Sequence, residues 1–318
     1  MKHLKKSLVQ QILQQYNIGK LVSSQELAPG FANRNFKLTT DQVGVVLRWV
    51  MEQNIEDLEL ELELLNHLRK FKFPAAYPIP TKNGTYIFEV PPGYVVLIDY
   101  IHGHHPIPGI DLNRAIGGAV GKLNQLTPPE RFNIKNSITL ESCSEFAGQL
   151  DHAPRKLPEF YSYFREQTAY LGDKIGLGLP TGLIHADVFP DNTIFNEGKL
   201  AAIIDFEDAC FDELLFDLAM AINGFCFPAN QLSYPLLDDL IHGYTEQRPL
   251  SSAEWNALPS YIQWTAHGTI LWHLKRLSVR HDQRQENRVS ELMERVKNLR
   301  AKENELKEHI LQNSADVG

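Results

Sequence analysis

The apolar and polar positions of the first hundred residues predict mostly strands. Residues 1–20 open as an amphipathic helix, its apolar run broken by Gln10, Gln11, Gln14 and Gln15. From Gln25 to Trp49 the pattern reads strand, turn, strand, strand. Phe36-Lys37-Leu38-Thr39 alternates, Asp41-Gln42-Val43-Gly44 turns, and Val45 to Trp49 is apolar at most positions, which is the signal of antiparallel hairpins. Ile55 to Phe71 changes period: Leu58, Leu62, Leu65 and Leu68 recur at helical spacing among acidic residues. Pro74, Pro78 and Pro80 end that helix in an extended connector. Two more strand-like runs follow, Thr85–Glu89 and Tyr94–Tyr100, separated by Pro91-Pro92-Gly93.

Beyond Gly103 the pattern turns helical, as in Arg114–Leu126 and Glu159–Leu171. Strands in one part and helices in the other predict an α+β protein: a small antiparallel-sheet lobe over 1–99, a larger mostly helical lobe over 100–318, and a hinge at about 99–103. Near the end, Leu292, Val296, Leu299, Leu306 and Ile310 keep a three-four spacing with a polar interruption at Glu303. A terminal helix docked on its own lobe is expected, with a coiled-coil dimer as the alternative, so the chain reads as monomer or homodimer.

At 318 residues the chain exceeds the usual single core, which agrees with two lobes. A net charge of −8 argues against a nucleic-acid partner and suits a substrate that carries an amine. Cys143, Cys210 and Cys226 are odd in number and form no CxxC pair, so a reduced, cytoplasmic protein is expected, with Cys210 and Cys226 packed in apolar surroundings. No run approaches the eighteen apolar residues of a membrane span, and no membrane partner is expected.

The chemistry concentrates in His185-Ala186-Asp187-Val188-Phe189-Pro190-Asp191-Asn192 and in Ile203-Ile204-Asp205-Phe206-Glu207-Asp208. Leu183-Ile184 is a short apolar strand, and Val188-Phe189-Pro190 a constrained turn that holds Asp187 at the strand end. Asp187 can accept the proton of an attacking hydroxyl. Asn192 and Asp205 can ligate magnesium, one with a neutral carbonyl oxygen and one with an anion. Residues 193–204 read as strand, turn, strand, a hairpin that leads to Asp205.

These residues resemble the aminoglycoside phosphotransferase and choline kinase family, relatives of the protein kinases that phosphorylate small molecules, and the resemblance covers essentially the whole chain. It implies a protein-kinase-like two-lobe fold and an ATP- and magnesium-dependent transfer of the γ-phosphoryl group to a substrate hydroxyl. Asp187 would be the catalytic base, and Asn192 and Asp205 the metal ligands. His185 would brace the loop, and Asp217, in Phe216-Asp217-Leu218-Ala219, would hold its backbone. The segment from Ala28 to Phe36 stands where the nucleotide-covering loop would be, with one glycine and no GxGxxG, and puts Gly30 to Asn33 near the phosphates. Arg48 takes the place of the usual strand lysine, with Glu61 as its partner. Asp99 and Ile101 would present backbone groups to adenine. His102, His104 and His105 read as solvated loop histidines because no fourth ligand is in view.

The wording HADVFPDN is similar to the homoserine kinase type II subgroup, as is Trp272-His273-Leu274-Lys275-Arg276-Leu277. The substrate implied is a small hydroxylated amine or amino acid. Glu207 and Asp208 would attract its ammonium, and Arg276 or Arg280 would receive a carboxylate. Two alternatives stay open: an aminoglycoside-type antibiotic kinase or choline-like amine kinase, and a nucleotide-binding pseudokinase, favoured by Arg48 and the glycine-poor loop.

Overall fold

The structure is a computed structural model that describes residues 6–27, 33–51, 53–107, 112–176 and 178–316. It divides into two compact units. The first takes the described residues up to His104, with Pro129–Phe132 and Ile194–Glu207. The second takes His105–Pro128, Asn133–Thr193 and the described residues from Asp208 on.

In the first unit, α1 (Lys6–Leu13) precedes β1 (Leu21–Glu26), β2 (Arg34–Thr40) and β3 (Gly44–Val50). Then come α2 (Ile55–Lys70), β4 (Ile87–Val90) and β5 (Gly93–Asp99). The strands form one antiparallel sheet in the order β1-β2-β3-β5-β4. Strand alternation sends Val45, Leu47 and Trp49 of β3 into a core with Val9, Ile12 and Leu13 of α1 and Val95 and Leu97 of β5. Arg48 points to the other face, where Glu61 of α2 meets it. Covered on both faces, β3 reads as a nearly continuous apolar run. The α2 stripe is buried as its spacing predicts, at Leu58, Leu62, Leu65 and Leu68, and Asn54 caps the helix by accepting from the Asp57 N–H.

The second unit begins with α3 (Asn113–Asn124), α4 (Leu140–Gln149), α5 (Pro158–Leu171) and β6 (Thr181–Ile184). The hairpin β7 (Thr193–Asn196) and β8 (Lys199–Ile203) belongs from Ile194 on to the first unit. It is fastened there by the backbone pair His104–Phe195 and by the Ile203 N–H to the Pro74 carbonyl at 2.8 Å. The chain returns to the second unit for β9 (Cys210–Glu213), α6 (Leu214–Phe225), α7 (Tyr234–Thr245) and α8 (Ser252–Leu277), and ends in α9 (Gln283–Ala301) and α10 (Glu303–Asp316). β6 pairs antiparallel with β9, with Ile184 opposite Cys210. α8 is buried on nearly every side, with α4, α5, α6, α9 and α10 packed around it. The late leucine stripe, Leu292 to Ile310, is buried within this unit. All three cysteines are buried and unpaired. Among the described residues no helix is long and apolar enough to cross a membrane.

Candidate active site

In the second unit the candidate residues stand at the strand end of β6. His185 is fully buried and Ala186 takes a left-handed φ of 66°, so the chain bends sharply just before Asp187. The bend is held from below by Asp217 of α6. Its carboxylate accepts the backbone N–H groups of His185 and Ala186 at 3.1 and 3.0 Å and the side-chain amide of Asn124 at 3.0 Å. Asn124 also donates to the Leu183 carbonyl and accepts from the Tyr244 hydroxyl, which ties α3, β6 and α7 to the same point. Burial pushes the Asp217 carboxyl up to about 6, although the three N–H donors pull against it.

Within the loop, the Asp187 N–H donates to Nδ1 of His185 at 3.2 Å, which places the imidazole proton on Nε2. Asn192 closes the turn Pro190–Asn192, its amide nitrogen 2.9 Å from the Asp187 carbonyl and 2.6 Å from Asp187 Oδ2. With the –NH2 end directed at Asp187, the carbonyl Oδ1 is the end that Asn192 can offer a cation. Phe189 completes the frame: its N–H donates to the Asp187 carbonyl and its carbonyl accepts from the Asn192 N–H, at 3.1 and 3.0 Å. Asp187 itself is half-buried, with its carboxylate braced on one oxygen.

The first unit holds the other predicted residues. Arg48 and Glu61, 5% and 1% exposed, form a bidentate pair with both N–O distances at 2.7 Å. Burial alone would lower the Arg48 pKa. The Glu61 carboxylate, with Asp205 and Glu207, more than reverses that and keeps the guanidinium charged. Asp205 follows β8 at a left-handed φ of 67°, with its Oδ1 3.9 Å from Arg48 Nη1. Asn33, 7% exposed, donates to Glu207 Oε2 at 2.5 Å. Glu207 is thus engaged inside its own unit, a contact that the sequence reading of an acidic substrate rim does not contain. The Asp99 N–H is used by the Tyr77 carbonyl at 2.9 Å, and burial raises the pKa of the Asp99 carboxyl. Ile101 follows in the connector, half-buried. Gly30 lies outside the described residues.

Other expected residues stand apart from these groups. Asp208, exposed, opens the stretch that returns to the second unit. Arg276 lies in the last turn of α8, half-buried, its guanidinium 3.5 Å from the Trp272 ring centroid. His104 joins the hairpin through its backbone, and His105 Nδ1 lies 3.0 Å from the Thr193 carbonyl. Among the described residues no group of three or more His, Cys, Asp or Glu side chains converges as a metal site. A magnesium ion needs none, since it takes one or two protein oxygens and completes its shell with phosphate and water. Taken separately, the Asn192 side-chain carbonyl in the second unit and the exposed Asp205 carboxylate in the first are oxygen donors of that kind. Sequence reasoning missed Asn124, whose only signal was a polar residue at the end of an otherwise apolar helix face.

A carboxylate held at a strand end by an asparagine amide in the second unit, and a charged Arg–Glu pair beside another carboxylate in the first, are each equipment of phosphoryl transfer. The profile of the phosphotransferase enzyme family matches residues 23–255, and the chain belongs to that family. Its class is that of ATP-dependent kinases acting on a hydroxyl of a small molecule. Among curated relatives, a homoserine kinase of Brucella anthropi is 31% identical over 255 residues, covering 78% of this chain and 77% of the relative. One from Nitrobacter winogradskyi is 30% identical, with 82% of each chain covered. Among solved structures, a microcompartment-associated aminopropanol kinase superposes with a TM-score of 0.72 at 19% identity, covering 99% of this chain and 100% of the other. A choline kinase from Streptococcus pneumoniae gives 0.67 at 16% identity, covering 92% and 99%. These two show a shared fold.

Proposed function

We propose that this chain is a homoserine kinase, transferring the γ-phosphoryl group of ATP to the side-chain hydroxyl of homoserine. The observation that carries the choice of acceptor is the likeness to homoserine kinases over about four-fifths of the chain. Residues 1–99 serve as the nucleotide-binding lobe and 100–318 as the catalytic and acceptor-binding lobe. Asp205 comes from a segment that folds with the first unit.

Asp187 orients the acceptor hydroxyl and takes its proton as the oxygen attacks the γ-phosphorus and ADP departs. Asn192, through Oδ1, and Asp205 are the residues that would hold magnesium, which supplies charge neutralisation at the β- and γ-phosphates. Arg48 adds fixed positive charge on the nucleotide side, kept in place by Glu61. Gly30 and Asn33 cover the phosphates, and the backbone at Asp99 and Ile101 meets adenine. His185 and Asp217 hold the catalytic loop in its bend. Glu207 and Asp208 favour a substrate ammonium, and Arg276 receives its carboxylate.

An ADP-release assay against homoserine, choline, methylthioribose and a panel of aminoglycosides tests this reading. Homoserine is expected to give the highest kcat/KM. Turnover stimulated solely by an antibiotic or by a simple amino alcohol would overturn it, and nucleotide binding without transfer to any acceptor would favour the pseudokinase.

A further inference from the structure

Behind the loop that carries Asp187 lies a buried guanidinium that phosphoryl transfer does not by itself require. Arg295, in α9, is 3% exposed. Its Nη1 donates to the backbone carbonyl of Asn223 at 2.7 Å and to Asn223 Oδ1 at 3.2 Å, and its Nε donates to Asn230 Oδ1 at 2.9 Å. The guanidinium carbon sits 4.2 Å from the Phe227 ring centroid. Burial, and then the neighbouring Arg288, lower its pKa to about 10, against the partial support of Glu291. Holding a cation in such surroundings is costly unless bonds and charge compensate it, here the hydrogen bonds just given and Glu291, whose Oε1 stands 3.4 Å from Arg295 Nη2.

What they fix is the stretch 223–230, where α6 ends. That stretch turns through Ala229 and Asn230, consecutive non-glycine residues at φ 49° and 61°, which a loosely tethered chain would not keep. Asn223 is also bolted to α8, its amide donating to the Ile262 carbonyl at 2.7 Å and the Thr265 hydroxyl at 2.8 Å. Gly224, the next residue, lies directly against the catalytic loop. A Cβ there would stand 2.8 Å from the Val188 carbonyl oxygen and 3.2 Å from the Phe189 Cα. Phe189 in turn bonds the Asp187 carbonyl and the Asn192 N–H. The contacts run without a gap from Arg295 through Asn223 and Gly224 to Val188–Phe189, and from there to the two side chains assigned to hydroxyl activation and metal binding.

We propose that Arg295 is a positioning residue, which by clamping the end of α6 sets the placement of the catalytic loop; the inference rests on the reading of Asp187 given above. A guanidinium suits the task because its planar fork spans acceptors in two directions, which a lysine ammonium cannot reproduce.

The test compares Arg295→Lys, Arg295→Met and Asn230→Ala with wild type in steady-state kinetics with MgATP and acceptor, well below each melting temperature. Hydrogen exchange of the Val188–Thr193 amides is followed in parallel. Asn230→Ala removes the acceptor of Arg295 Nε and the amide that donates to the Glu291 carbonyl, both in a half-buried turn, so it keeps the test alive if Arg295→Met does not fold. The expected result is a kcat about 100-fold lower in both Arg295 variants, with KM for MgATP within about twofold of wild type and faster loop exchange. Wild-type kcat in Arg295→Lys and Asn230→Ala overturns the proposal, whatever their melting temperatures. A wild type that transfers phosphate to no acceptor overturns the proposed function instead, and unchanged loop exchange then overturns this inference separately.

Discussion

Replacing Glu61 by Gln removes one charge and almost no volume, and the structure says what should follow. Arg48 and Glu61 are 5% and 1% exposed and joined by two bonds of 2.7 Å, so the substitution leaves a guanidinium buried beside a neutral amide. Removing one partner of a buried pair costs about 3–5 kcal/mol, because the remaining charge is left uncompensated. Here Asp205 tempers the loss, its Oδ1 standing 3.9 Å from Arg48. At that separation the attraction is roughly 4 kcal/mol for an effective dielectric of 20 and about 1 kcal/mol in bulk water. The Asp205 side chain is 40% exposed, so the screened end of that range applies. A net loss of about 2–4 kcal/mol is expected from these two opposing effects. Urea unfolding of the purified protein measures it, as a midpoint shift of roughly 1–2 M for an ordinary dependence on denaturant. The double variant Arg48→Met/Glu61→Leu, which buries no charge, should lose less than Glu61→Gln alone. A loss below about 0.5 kcal/mol for Glu61→Gln would refute the reasoning, as would a double variant no more stable than the single.

Other consequences are as direct. Asp187→Asn can still accept the hydrogen bond from Asn192 but cannot take a proton, so turnover should fall by about 10²–10⁴ with the melting temperature unchanged, and a near-normal rate would sink the mechanism. Gly224→Ala drives a methyl against the Val188 carbonyl, and kcat should fall while nucleotide binding, read by calorimetry, stays intact. His267 is fully buried, with burial holding its pKa down at about 3, so below pH 6.5 the unfolded chain binds a proton that the folded chain refuses until about pH 3. Stability should therefore drop as pH falls through that window, by about 3 kcal/mol at pH 4.5, and His267→Phe should flatten the acid limb of urea midpoints measured from pH 7 to 4.5.

Local patterning carried much of the fold. The hairpins, the α2 stripe and the strand before Asp187 follow from alternation, helical spacing and turn chemistry, and all are present, although β1 spans Leu21–Glu26 and so begins ahead of the run expected from Gln25. Departures from the pattern occur where distant residues decide. The strand expected from Thr85 starts at Ile87, because Thr81 and Thr85 bond each other through backbone and hydroxyls and draw Thr85 into a turn. The late helix breaks at Lys302 because the Glu303 carboxylate is drawn to Lys174, at 2.7 Å, and to the Tyr170 hydroxyl. α8 is buried on nearly every side, with polar residues such as Gln263, Thr265 and His267 among its buried positions, so no apolar stripe announces its 26 residues. In the candidate site, the pairing of Asp187 with Asn192 was legible because their spacing is local. Asp217 entered through the family resemblance, but its partner Asn124 and the pairings Arg295–Asn223 and Asn33–Glu207 did not, because these partners are separated by dozens of residues or more.

The residues that break local rules mark the candidate chemistry independently of any likeness to other proteins. Six described non-glycine residues have positive φ: Lys72, Ala186, Glu197, Asp205, Ala229 and Asn230. Lys72 ends a helix and Glu197 sits in the β7–β8 turn, where such angles are routine. Ala186 and Asp205 have no such excuse; one adjoins Asp187, and the other is itself a proposed metal ligand. Ala229 and Asn230 lie in the turn that Arg295 clamps. Buried charge falls in the same places: Asp217 under the Ala186 bend, Arg295 behind Gly224, and Arg48 beside Asp205. Each of these costs stability, and a chain selected for stability alone would have little reason to combine them. Their coincidence means that relaxing the bend, as Ala186→Gly would at a φ of 66°, should lower turnover even where it spares stability.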